Sequence, residues 1–314
     1  MNVTASVPGK VHLMGEHAVV YGKPALLAAI NLRLRVAVES AENGVEIVST
    51  ESTDYVAYAV DVIRRENKLD ALPPMKITIT SEIPAGYHLG SSAAVAVATV
   101  GAVTYFLKKV WNPAVINQLA YEVEKKMHGN PSGGDNTTVT MGGFIWFRKE
   151  FEFLKSIWQL PFKLHQSLDH FFLINTGRPK ETTGEMVAYV SEKRKAKSEK
   201  YEKLFTENER QTKRVAVAIK EGNEKELIDA IRTGERTLEG MGVVSKKVIP
   251  LIREIEKVDG AAKILGGGGR TEGVGFLLCY HRKPAIIAKL CESHGFATQS
   301  IRLGEEGIRL EQRS

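Results

Sequence analysis

Cysteine is scarce in this sequence, which has only Cys279 and Cys291 among its 314 residues. Two cysteines cannot build a disulfide framework, so the composition favours a reducing compartment and we expect a cytoplasmic protein. We find no run of about 18 uncharged apolar residues, and the first residues lack the basic-then-apolar order of a signal peptide. We therefore expect neither a membrane-spanning protein nor a secreted, disulfide-rich one.

The two common nucleotide-binding signatures are also missing. The P-loop pattern GxxxxGK[ST] does not occur, and neither does GxGxxG, the dinucleotide fingerprint. The nearest candidate, residues 266–273, reads GGGGRTEG. A P-loop site and a Rossmann dinucleotide site are therefore unsupported, and a nucleotide site would have to be built in another way.

What the sequence does contain is typical of a globular protein. Its 43% hydrophobic and 25% charged residues are ordinary, and its length is about twice that of a typical domain, which predicts two domains. Strand-like and helix-like segments occur in both halves, which predicts an α+β fold with a boundary in the connection at 155–168. The net charge of +6 is compatible with a nucleic-acid partner or with a small anionic ligand.

Hydrophobic periodicity predicts the individual elements. Strands are expected at 32–39, 76–80, 171–174, 261–265, 275–280 and 297–302. Helices are expected at 55–63, 91–110, 113–127, 245–258 and 284–294. Between 183 and 231 a charged sequence carries apolar residues at helical spacing, which predicts amphipathic helices. The helix at 91 is expected to open on its Ser-Ser pair, since serine is a good N-cap.

Glycine is concentrated in four segments of the chain, at 8–25, 84–98, 128–143 and 263–275. The loop before Ser91 is the most informative of them. A glycine-containing loop that enters a helix presents backbone N–H groups and the positive end of the helix dipole, which together favour an anion such as phosphate. Ser91 and Ser92 add hydroxyls, which can ligate Mg²⁺. The alternative is a tight turn whose serines only cap the helix.

Two acidic residues are candidates for acid–base or metal chemistry. Asp135 follows the turn-forming run PSGG, which can fix the direction of a carboxylate, and Glu124 lies on the preceding predicted helix. The alternative is that Asp135 caps the next helix and Glu124 lies on a solvated face. Lys10 can bind phosphate or lower the pKa of a nearby hydroxyl, but a lone Lys, like Glu16 and His17 beside it, is usually a surface residue.

The four consecutive glycines at 266–269 form a separate case. Such a run is costly to order because glycine loses the most backbone freedom on folding. The run is explained if the backbone must approach a ligand or another loop closely. The alternative is a mobile hairpin tip.

Together these segments resemble the GHMP kinase superfamily, whose three motifs occur here in order. The motifs are PGKVHLMGEHAVVYGKPAL at 8–26, PAGYHLGSSAA at 84–94 and KILGGGGRTEGVG at 263–275. Three further strings resemble the mevalonate kinase family within that superfamily. They are GEHAVVYG at 15–22, HGNPSGGDN at 128–136 and GMGVVS at 240–245.

The resemblance implies a two-domain fold with the active site in the cleft between the halves. The N-terminal half, 1–160, would resemble domain 2 of ribosomal protein S5 and bind ATP, and the C-terminal half, 161–314, would be ferredoxin-like. The implied reaction is ATP-dependent phosphorylation of the C5 hydroxyl of (R)-mevalonate with Mg²⁺, in the mevalonate route to isoprenoids. The resemblance also implies a cytoplasmic homodimer that binds ATP and mevalonate, with no nucleic-acid or membrane partner.

The resemblance assigns roles to matching positions. Asp135 matches the catalytic base and Lys10 the lysine beside the reacting hydroxyl, so both would also touch the substrate. Ser92 and Glu124 match the Mg²⁺ ligands. Glu16, His17 and Thr182 match substrate-side residues, with His17 a contact for the mevalonate carboxylate, although Thr183 fits almost as well as Thr182. The ATP-phosphate loop would comprise Pro84, Ala85, Gly86, Tyr87, His88, Leu89, Gly90, Ser91, Ser92, Ala93 and Ala94.

The sequence departs from the family motifs at two positions. His88 stands where glycine is usual, which requires a backbone angle that histidine can adopt or a shifted loop. Arg270 stands where the third motif usually continues with glycine, and lies over the nucleotide or faces water. The alternatives are another small-molecule GHMP kinase, a nucleic-acid-binding module, and a GHMP-fold sensor without catalysis. Interleaved Lys and Glu across 192–227 speak against the nucleic-acid module.

Overall fold

The computed structural model describes residues 2–49, 53–128, 131–151 and 153–311. The described residues form two compact units. Unit 1 takes them from 1–10, 29–143 and 305–314, and unit 2 from 11–28 and 144–304. Strands β1 (Asn2–Met14) and β2 (Pro24–Ser40) each contribute residues to both units. The expected sequence boundary at residue 160 stays a prediction, because these units follow compactness and not chain order.

Unit 1 is built on a sheet with helices packed against it. β1 pairs antiparallel with the C-terminal strand β11 (Arg309–Leu310), and β2 pairs antiparallel with β4 (Met75–Ser81). β4 in turn pairs in parallel with β3 (Val45–Val48). The sheet order is β11-β1-β2-β4-β3. The two strands predicted in this part of the sequence are confirmed, and β2 extends well beyond the predicted segment.

Four helices of unit 1 are described. They are α1 (Thr53–Glu66), α2 (Ser91–Lys108), α3 (Pro113–His128) and α4 (Gly134–Met141). α2 begins at Ser91 as predicted, but its cap is Gly90 and no side chain caps it. Among the described residues, α2 is the one helix that is long and apolar enough to cross a membrane by length and composition alone. However, 67% of it is buried inside the protein, as in the core helix of a soluble protein.

Unit 2 contains a hairpin and a second sheet. The hairpin strands are β5 (Phe144–Lys149) and β6 (Lys155–Gln159), which pair antiparallel with each other. β5 also pairs antiparallel with the first residues of β2. The pairing of β5 with β6 places Trp146 opposite Trp158, and such aromatic cross-strand pairs stabilise a sheet. Residues 155–159, which the sequence placed in a connection, therefore form a strand.

The second sheet of unit 2 is antiparallel throughout, in the order β10-β7-β9-β8. Its strands are β7 (Phe171–Asn175), β8 (Ala261–Ile264), β9 (Phe276–Tyr280) and β10 (Ala297–Ile301). The helices of this unit are α5 (Thr183–Ala196), α6 (Ser198–Glu221), α7 (Glu224–Met241), α8 (Ile249–Lys257) and α9 (Pro284–Ser293). All of these match predicted segments. Both units mix helices with strands, which confirms the α+β prediction.

A buried arginine fastens the C-terminal segment of unit 1. Arg33 on β2 is 5% exposed and donates to both the hydroxyl (2.9 Å) and the carbonyl (3.0 Å) of Ser6. It also donates to the carbonyls of Glu306 (3.0 Å) and Gly307 (2.8 Å). Burial lowers the pKa of Arg33 to about 10, so the guanidinium remains charged at neutral pH. One side chain thus links β1, β2 and the residues before β11.

Replacing this side chain should destabilise the protein. We expect Arg33→Met to lower the free energy of unfolding by about 3 kcal/mol, because it leaves several buried acceptors without a charged donor. Arg35→Met is the matched control on the same strand, since the side chains of Arg35 and its partner Glu82 are 40% and 49% exposed. It should cost less than about 1 kcal/mol. Urea unfolding followed by circular dichroism measures both, and equal losses would show that the buried contacts do not stabilise the unit.

Candidate active site

Lys10 and Asp135 form the central pair of unit 1. The Lys10 Nζ lies 3.0 Å from Asp135 Oδ2, and the side chains are 4% and 38% exposed. The backbone N–H of Lys10 also donates to the carbonyl of Leu89 at 2.9 Å. The structure therefore brings together the first glycine segment, the glycine loop before α2, and the aspartate that follows PSGG. The resemblance to the GHMP kinases implies that all three belong to one site.

Glycine is required where the loop passes Lys10. Gly90 has φ +80°, and a Cβ at this position would lie 2.8 Å from Lys10 Cγ. Any side chain here would therefore strain the backbone and displace the lysine. His88 also adopts a positive φ of 63°, so this departure from the motif is accommodated by a left-handed backbone that histidine can reach. Gly90 leads directly into α2, whose positive dipole end follows the loop.

Asp135 is held by the packing of α4 on α3. Gly133, at φ +83°, is the N-cap of α4, and Asp135 stands in the first turn without capping the helix. The amide of Asn136 donates to Asn117 Oδ1 at 2.7 Å, and Asn117 Nδ2 donates to Thr137 Oγ1 at 3.1 Å. These bonds from the two residues that follow Asp135 hold the first turn of α4 against α3, and so position the aspartate. Gly129 and Asn130 of the same motif lie outside the described residues.

Glu124 is buried and does not lie on a solvated face. It is 5% exposed on α3, and the hydroxyl of Tyr55 on α1 donates a hydrogen bond to its Oε1. Burial, reinforced by the Glu124 carboxylate, raises the pKa of Tyr55, so the phenol keeps its proton as a donor. A carboxylate held in this way has a fixed orientation, as a metal ligand requires.

Unit 2 carries the predicted substrate-side residues Glu16 and His17. Both are buried, at 2% and 5% exposure. Glu16 forms an ion pair with the completely buried Lys263 of β8. The Nε2 of His17 lies 3.0 Å from the carbonyl of Gly267, and burial lowers the pKa of His17. Neither side chain is the ordinary surface residue that the alternative interpretation required.

The glycine run at 266–269 is packed against other loops and is not an exposed hairpin tip. Gly267, Gly268 and Gly269 are buried. A Cβ on Gly268, which has φ +69°, would lie 2.2 Å from the carbonyl oxygen of Val243. Close approach to another loop therefore explains the run, as one of the two sequence interpretations proposed. Arg270 follows with its guanidinium 4.0 Å from the Tyr189 ring centroid, so it stacks on α5.

The two candidate threonines lie at the start of α5. The hydroxyl of Thr182 accepts from the backbone N–H of Glu185 at 3.2 Å, and the Glu185 carboxylate accepts from the backbone N–H of Thr182 at 2.7 Å, which together form a capping box. The Thr182 hydroxyl also donates to the Glu185 carboxylate at 2.9 Å. Thr183 is next to the glycine run, because its Cα lies 3.2 Å from where a Gly267 Cβ would be. Thr182 is thus committed to the helix cap, whereas Thr183 adjoins the residue that His17 contacts.

Three residues of these clusters were not predicted. They are Tyr55, Lys263 and Glu235, the last fully buried on α7 with its Oε2 accepting from the N–H of Ile264 at 3.1 Å. Lys263 stands in the otherwise apolar run AAKIL, and Glu235 falls on the apolar stripe of α7. A charged residue at a position predicted to lie in the core is a signal by which Lys263 and Glu235 could have been found from the sequence alone. Tyr55 offers none, since a tyrosine on an apolar helix face is ordinary.

Comparison with known proteins identifies the class. The family model of the GHMP kinases N terminal domain matches residues 54–143. The model of the galactokinase galactose-binding signature matches residues 2–40. The crystal structure of the Methanococcus jannaschii mevalonate kinase superposes with a TM-score of 0.81 and 21% identity, over 97% of this chain and 99% of the other. The fold is therefore that of a two-domain GHMP kinase.

Curated relatives narrow the class. A mevalonate kinase of Archaeoglobus fulgidus is 36% identical, over 84% of this chain and 89% of the relative. A mevalonate kinase of Pyrococcus abyssi is 30% identical, over 99% and 98% of the two chains. This chain belongs to the mevalonate kinase family.

The Gly90–Lys10 contact predicts a selective loss of activity. Gly90→Ala and Gly44→Ala both place a side chain at positive φ, but a Cβ at Gly44 would meet no atom within 4 Å. Each should cost about 1–2 kcal/mol of stability. Only Gly90→Ala should also lower the rate of phosphoryl transfer, because it alone displaces Lys10. Chemical denaturation and initial rates measure the two effects. Equal activity in the two variants would contradict this account of the loop.

The buried carboxyl of Glu235 predicts a pH dependence of stability. Burial raises its pKa from 4.5 to about 8, in spite of the nearby Lys263, while Glu239 and Glu16 raise it further. Between these two values the unfolded chain releases a proton that the folded chain keeps, so stability falls as pH rises. Glu235→Gln lacks that proton equilibrium. Its stability relative to the unsubstituted protein should therefore increase from pH 5 to pH 9.

The control for this measurement is Glu226→Gln. Glu226 is partly exposed and its pKa is lowered, chiefly by a hydrogen bond from Arg214. The ionised carboxylate of Glu226 stabilises the folded state above its pKa. Glu226→Gln should therefore gain no stability relative to the unsubstituted protein at high pH. Thermal unfolding from pH 5 to pH 9 measures the stability of both variants and of the unsubstituted protein. If the stability difference between Glu235→Gln and the unsubstituted protein did not change with pH, the assignment of a buried neutral carboxyl would be refuted.

Proposed function

We propose that this protein transfers the γ-phosphoryl group of ATP to the C5 hydroxyl of (R)-mevalonate, giving 5-phosphomevalonate in the mevalonate route to isoprenoids. The observation that carries the proposal is the Lys10–Asp135 pair, with 3.0 Å between Nζ and Oδ2. A buried ammonium beside a partly exposed carboxylate is an arrangement that can activate a hydroxyl. The names of the full-length relatives supply mevalonate as the acceptor.

Asp135 and Lys10 have different roles toward the substrate hydroxyl. Phosphoryl transfer asks the protein mainly for positioning and for neutralisation of charge. Asp135, 38% exposed, can accept a hydrogen bond from the substrate hydroxyl and take its proton as the oxygen attacks. Lys10 is almost completely buried, where water screens its charge little, so it favours the developing alkoxide.

The glycine loop and the start of α2 provide the ATP-phosphate site. The loop Pro84–Gly90 contacts Lys10 through Leu89 and Gly90, and residues Ser91–Ala94 form the first turn of α2. A glycine cap leaves no side chain between the helix start and an approaching anion. The helix dipole then attracts phosphate at the same end.

Ser92 and Glu124 are the proposed ligands of Mg²⁺. Their hydroxyl and carboxylate oxygens are donors that Mg²⁺ prefers. In the part of the chain that the structure describes, no three His, Cys, Asp or Glu side chains cluster as a metal site. That fits Mg²⁺, which is commonly held by one or two protein oxygens together with water and substrate phosphates. When bound, Mg²⁺ neutralises charge on the phosphates, while Tyr55 keeps Glu124 oriented.

Glu16, His17 and Thr182 or Thr183 are the proposed substrate-side residues. The Gly267 carbonyl can only accept, so the contact with His17 places a hydrogen on Nε2 and leaves Nδ1 for a ligand. A carboxylate also only accepts, so binding it would draw a proton onto Nδ1. The adjacency of Thr183 to Gly267 favours Thr183 over Thr182 for the threonine role.

The proposal includes a cytoplasmic homodimer with no nucleic-acid or membrane partner. Support for the absence of nucleic acid comes from α6, where three of the six basic residues form ion pairs with acidic neighbours one turn away. The pairs are Lys203–Glu199, Arg210–Glu207 and Lys213–Glu209. A helix face of this kind carries no continuous basic stripe.

A substrate panel tests the activity. Release of ADP is coupled to a spectrophotometric readout with mevalonate, phosphomevalonate, homoserine or galactose as the acceptor. We expect turnover with mevalonate and none with the other three. Galactose belongs in the panel because residues 2–40 match a galactose-binding signature. Strong activity on phosphomevalonate without activity on mevalonate would assign the chain to another reaction of the class.

Substitution of the central pair tests the mechanism. Asp135→Asn should lower kcat at least about 100-fold, as expected for loss of a general base, and Lys10→Met should lower it by a similar factor because the alkoxide loses its buried cation. Lys125→Met, which breaks an exposed ion pair with Glu122 on α3, is the control and should keep full activity. Circular dichroism confirms folding. Near-normal kcat in either folded variant would refute the roles given to the pair.

A further inference from the structure

Lys263 is an unusual residue for the strand it occupies. β8 is otherwise composed of Ala261, Ala262 and Ile264, and Lys263 is completely buried within it. Burying an ammonium group is unfavourable unless its hydrogens are satisfied and its charge is paired. The mechanism proposed above does not use this lysine, so its cost is unexplained by the chemistry of phosphoryl transfer.

The ammonium of Lys263 has three partners and therefore uses all three of its hydrogens. It donates to the carbonyl of Ile264 at 2.6 Å, to the carbonyl of His12 at 3.2 Å, and to the carboxylate of Glu16. The first partner lies on its own strand. The other two lie at the end of β1 and in the turn that follows, so Lys263 ties β8 to both sides of that turn.

The neighbouring Glu235 does not balance the positive charge of Lys263, so Glu16 must do so. Glu235 is also fully buried and accepts from the N–H of Ile264. Burial raises the pKa of Glu235 to about 8, so it is mostly neutral at pH 7. The carboxylate that balances the ammonium is therefore Glu16, which stands directly before His17.

The turn held by Lys263 is strained. His17 has φ 59° and ψ −47°, and the N–H of Ala18 donates to the carbonyl of Glu16 at 2.6 Å. These are the features of a three-residue γ-turn of the rare, strained kind. Gly15 before it has φ +112°, and a Cβ there would lie 2.4 Å from the Cα of Ala25. Strain of this type persists only where surrounding contacts enforce it, and it is often found at functional sites.

The strained residue is the one whose side chain reaches the glycine run. His17 contacts the carbonyl of Gly267 through Nε2 at 3.0 Å. We infer that Lys263 is a positioning residue for His17: its buried ammonium, acting through Glu16 and the His12 carbonyl, holds the strained turn that orients the imidazole. This inference rests on the proposed function only in giving His17 a role toward the carboxylate of the substrate.

The first experiment requires no activity and so separates this inference from the proposed function. The full chain is labelled with ¹⁵N-histidine, and the His17 resonances are assigned with His17→Asn. In the unsubstituted protein we expect one fixed tautomer, with the hydrogen on Nε2. In Lys263→Met the turn loses its anchor, so both nitrogens should move toward tautomer-averaged shifts. An unchanged His17 spectrum in a folded Lys263→Met variant would overturn the inference, whatever reaction the protein catalyses.

A second variant keeps this test decisive if Lys263→Met does not fold. That substitution leaves the Glu16 carboxylate buried without a cation, which is strongly destabilising. Lys263→Met/Glu16→Gln removes both charges and should restore folding. The turn still lacks its ionic anchor in the double variant, so His17 should again show averaged shifts. A fixed tautomer there would overturn the inference.

The second experiment measures whether Lys263 acts through His17. We expect Lys263→Met to raise the KM for mevalonate about tenfold, as for loss of one charge-assisted contact, with the KM for ATP unchanged. His17→Ala should raise the KM for mevalonate by a similar factor. The variant Lys263→Met/His17→Ala should have a KM no higher than that of His17→Ala alone, because coupled residues give non-additive effects. Fully additive losses, or equal changes in the KM values of both substrates, would show a merely structural lysine.

Arg232→Met is the matched control. Arg232 is a partly buried cation of the same unit, and it donates to the carbonyls of Gly260 (2.7 and 2.9 Å) and Glu256 (2.8 Å), close to the start of β8. Its removal should lower stability without changing the KM for mevalonate or the His17 spectrum. If Arg232→Met reproduced the effects of Lys263→Met, general loosening of the unit would explain both, and the inference would fail.

Discussion

The buried ammonium of Lys10 is the constraint on which unit 1 depends. A lysine that is 4% exposed must be paired, and its partner Asp135 lies 125 residues later in the chain, at the start of α4. The loop before α2 must then pass over the lysine stem without a side chain, which explains Gly90. The positions of β1, the glycine loop and α4 are therefore coupled through one side chain. A substitution at any of them is transmitted to the reacting group.

A second buried lysine plays the corresponding part in unit 2. Lys263 is paired with Glu16 and joins β8 to the turn that carries His17. The two lysines differ in what they leave accessible. Lys10 faces a carboxylate that remains 38% exposed and can meet a substrate, whereas Lys263 and Glu16 are both out of contact with water. The first pair suits chemistry, and the second suits the fixing of a neighbour.

Local signals in the sequence predicted much of the fold and the pieces of the site. The apolar run of α2, its glycine-containing approach loop and the turn before Asp135 are each determined by residues within a few positions of one another. Contacts between distant residues were not predictable from local patterns, and only the resemblance to the family placed Lys10 and Asp135 in one site. Nothing near Glu124 shows that Tyr55 will bury and orient it, so its solvated alternative was reasonable from sequence. The hairpin of β5 and β6 was not predicted for a similar reason. Residues 155–159 form a strand because they pair with β5, where Trp158 lies opposite Trp146, and this pairing is not visible in the local sequence.

The two departures from the family motifs show how far the site tolerates change. His88 requires a positive φ, which the loop supplies, at a modest cost in backbone strain. Arg270 finds the ring of Tyr189, while its backbone N–H donates to the Glu181 carboxylate at 3.3 Å. His88 is accommodated by its backbone conformation and Arg270 by contacts within its own unit, and neither alters a partner of Lys10, Asp135 or Lys263 described above. Motif positions that only shape a loop can therefore vary, whereas those that pair a buried charge cannot change alone, because the partner would be left charged and unsatisfied.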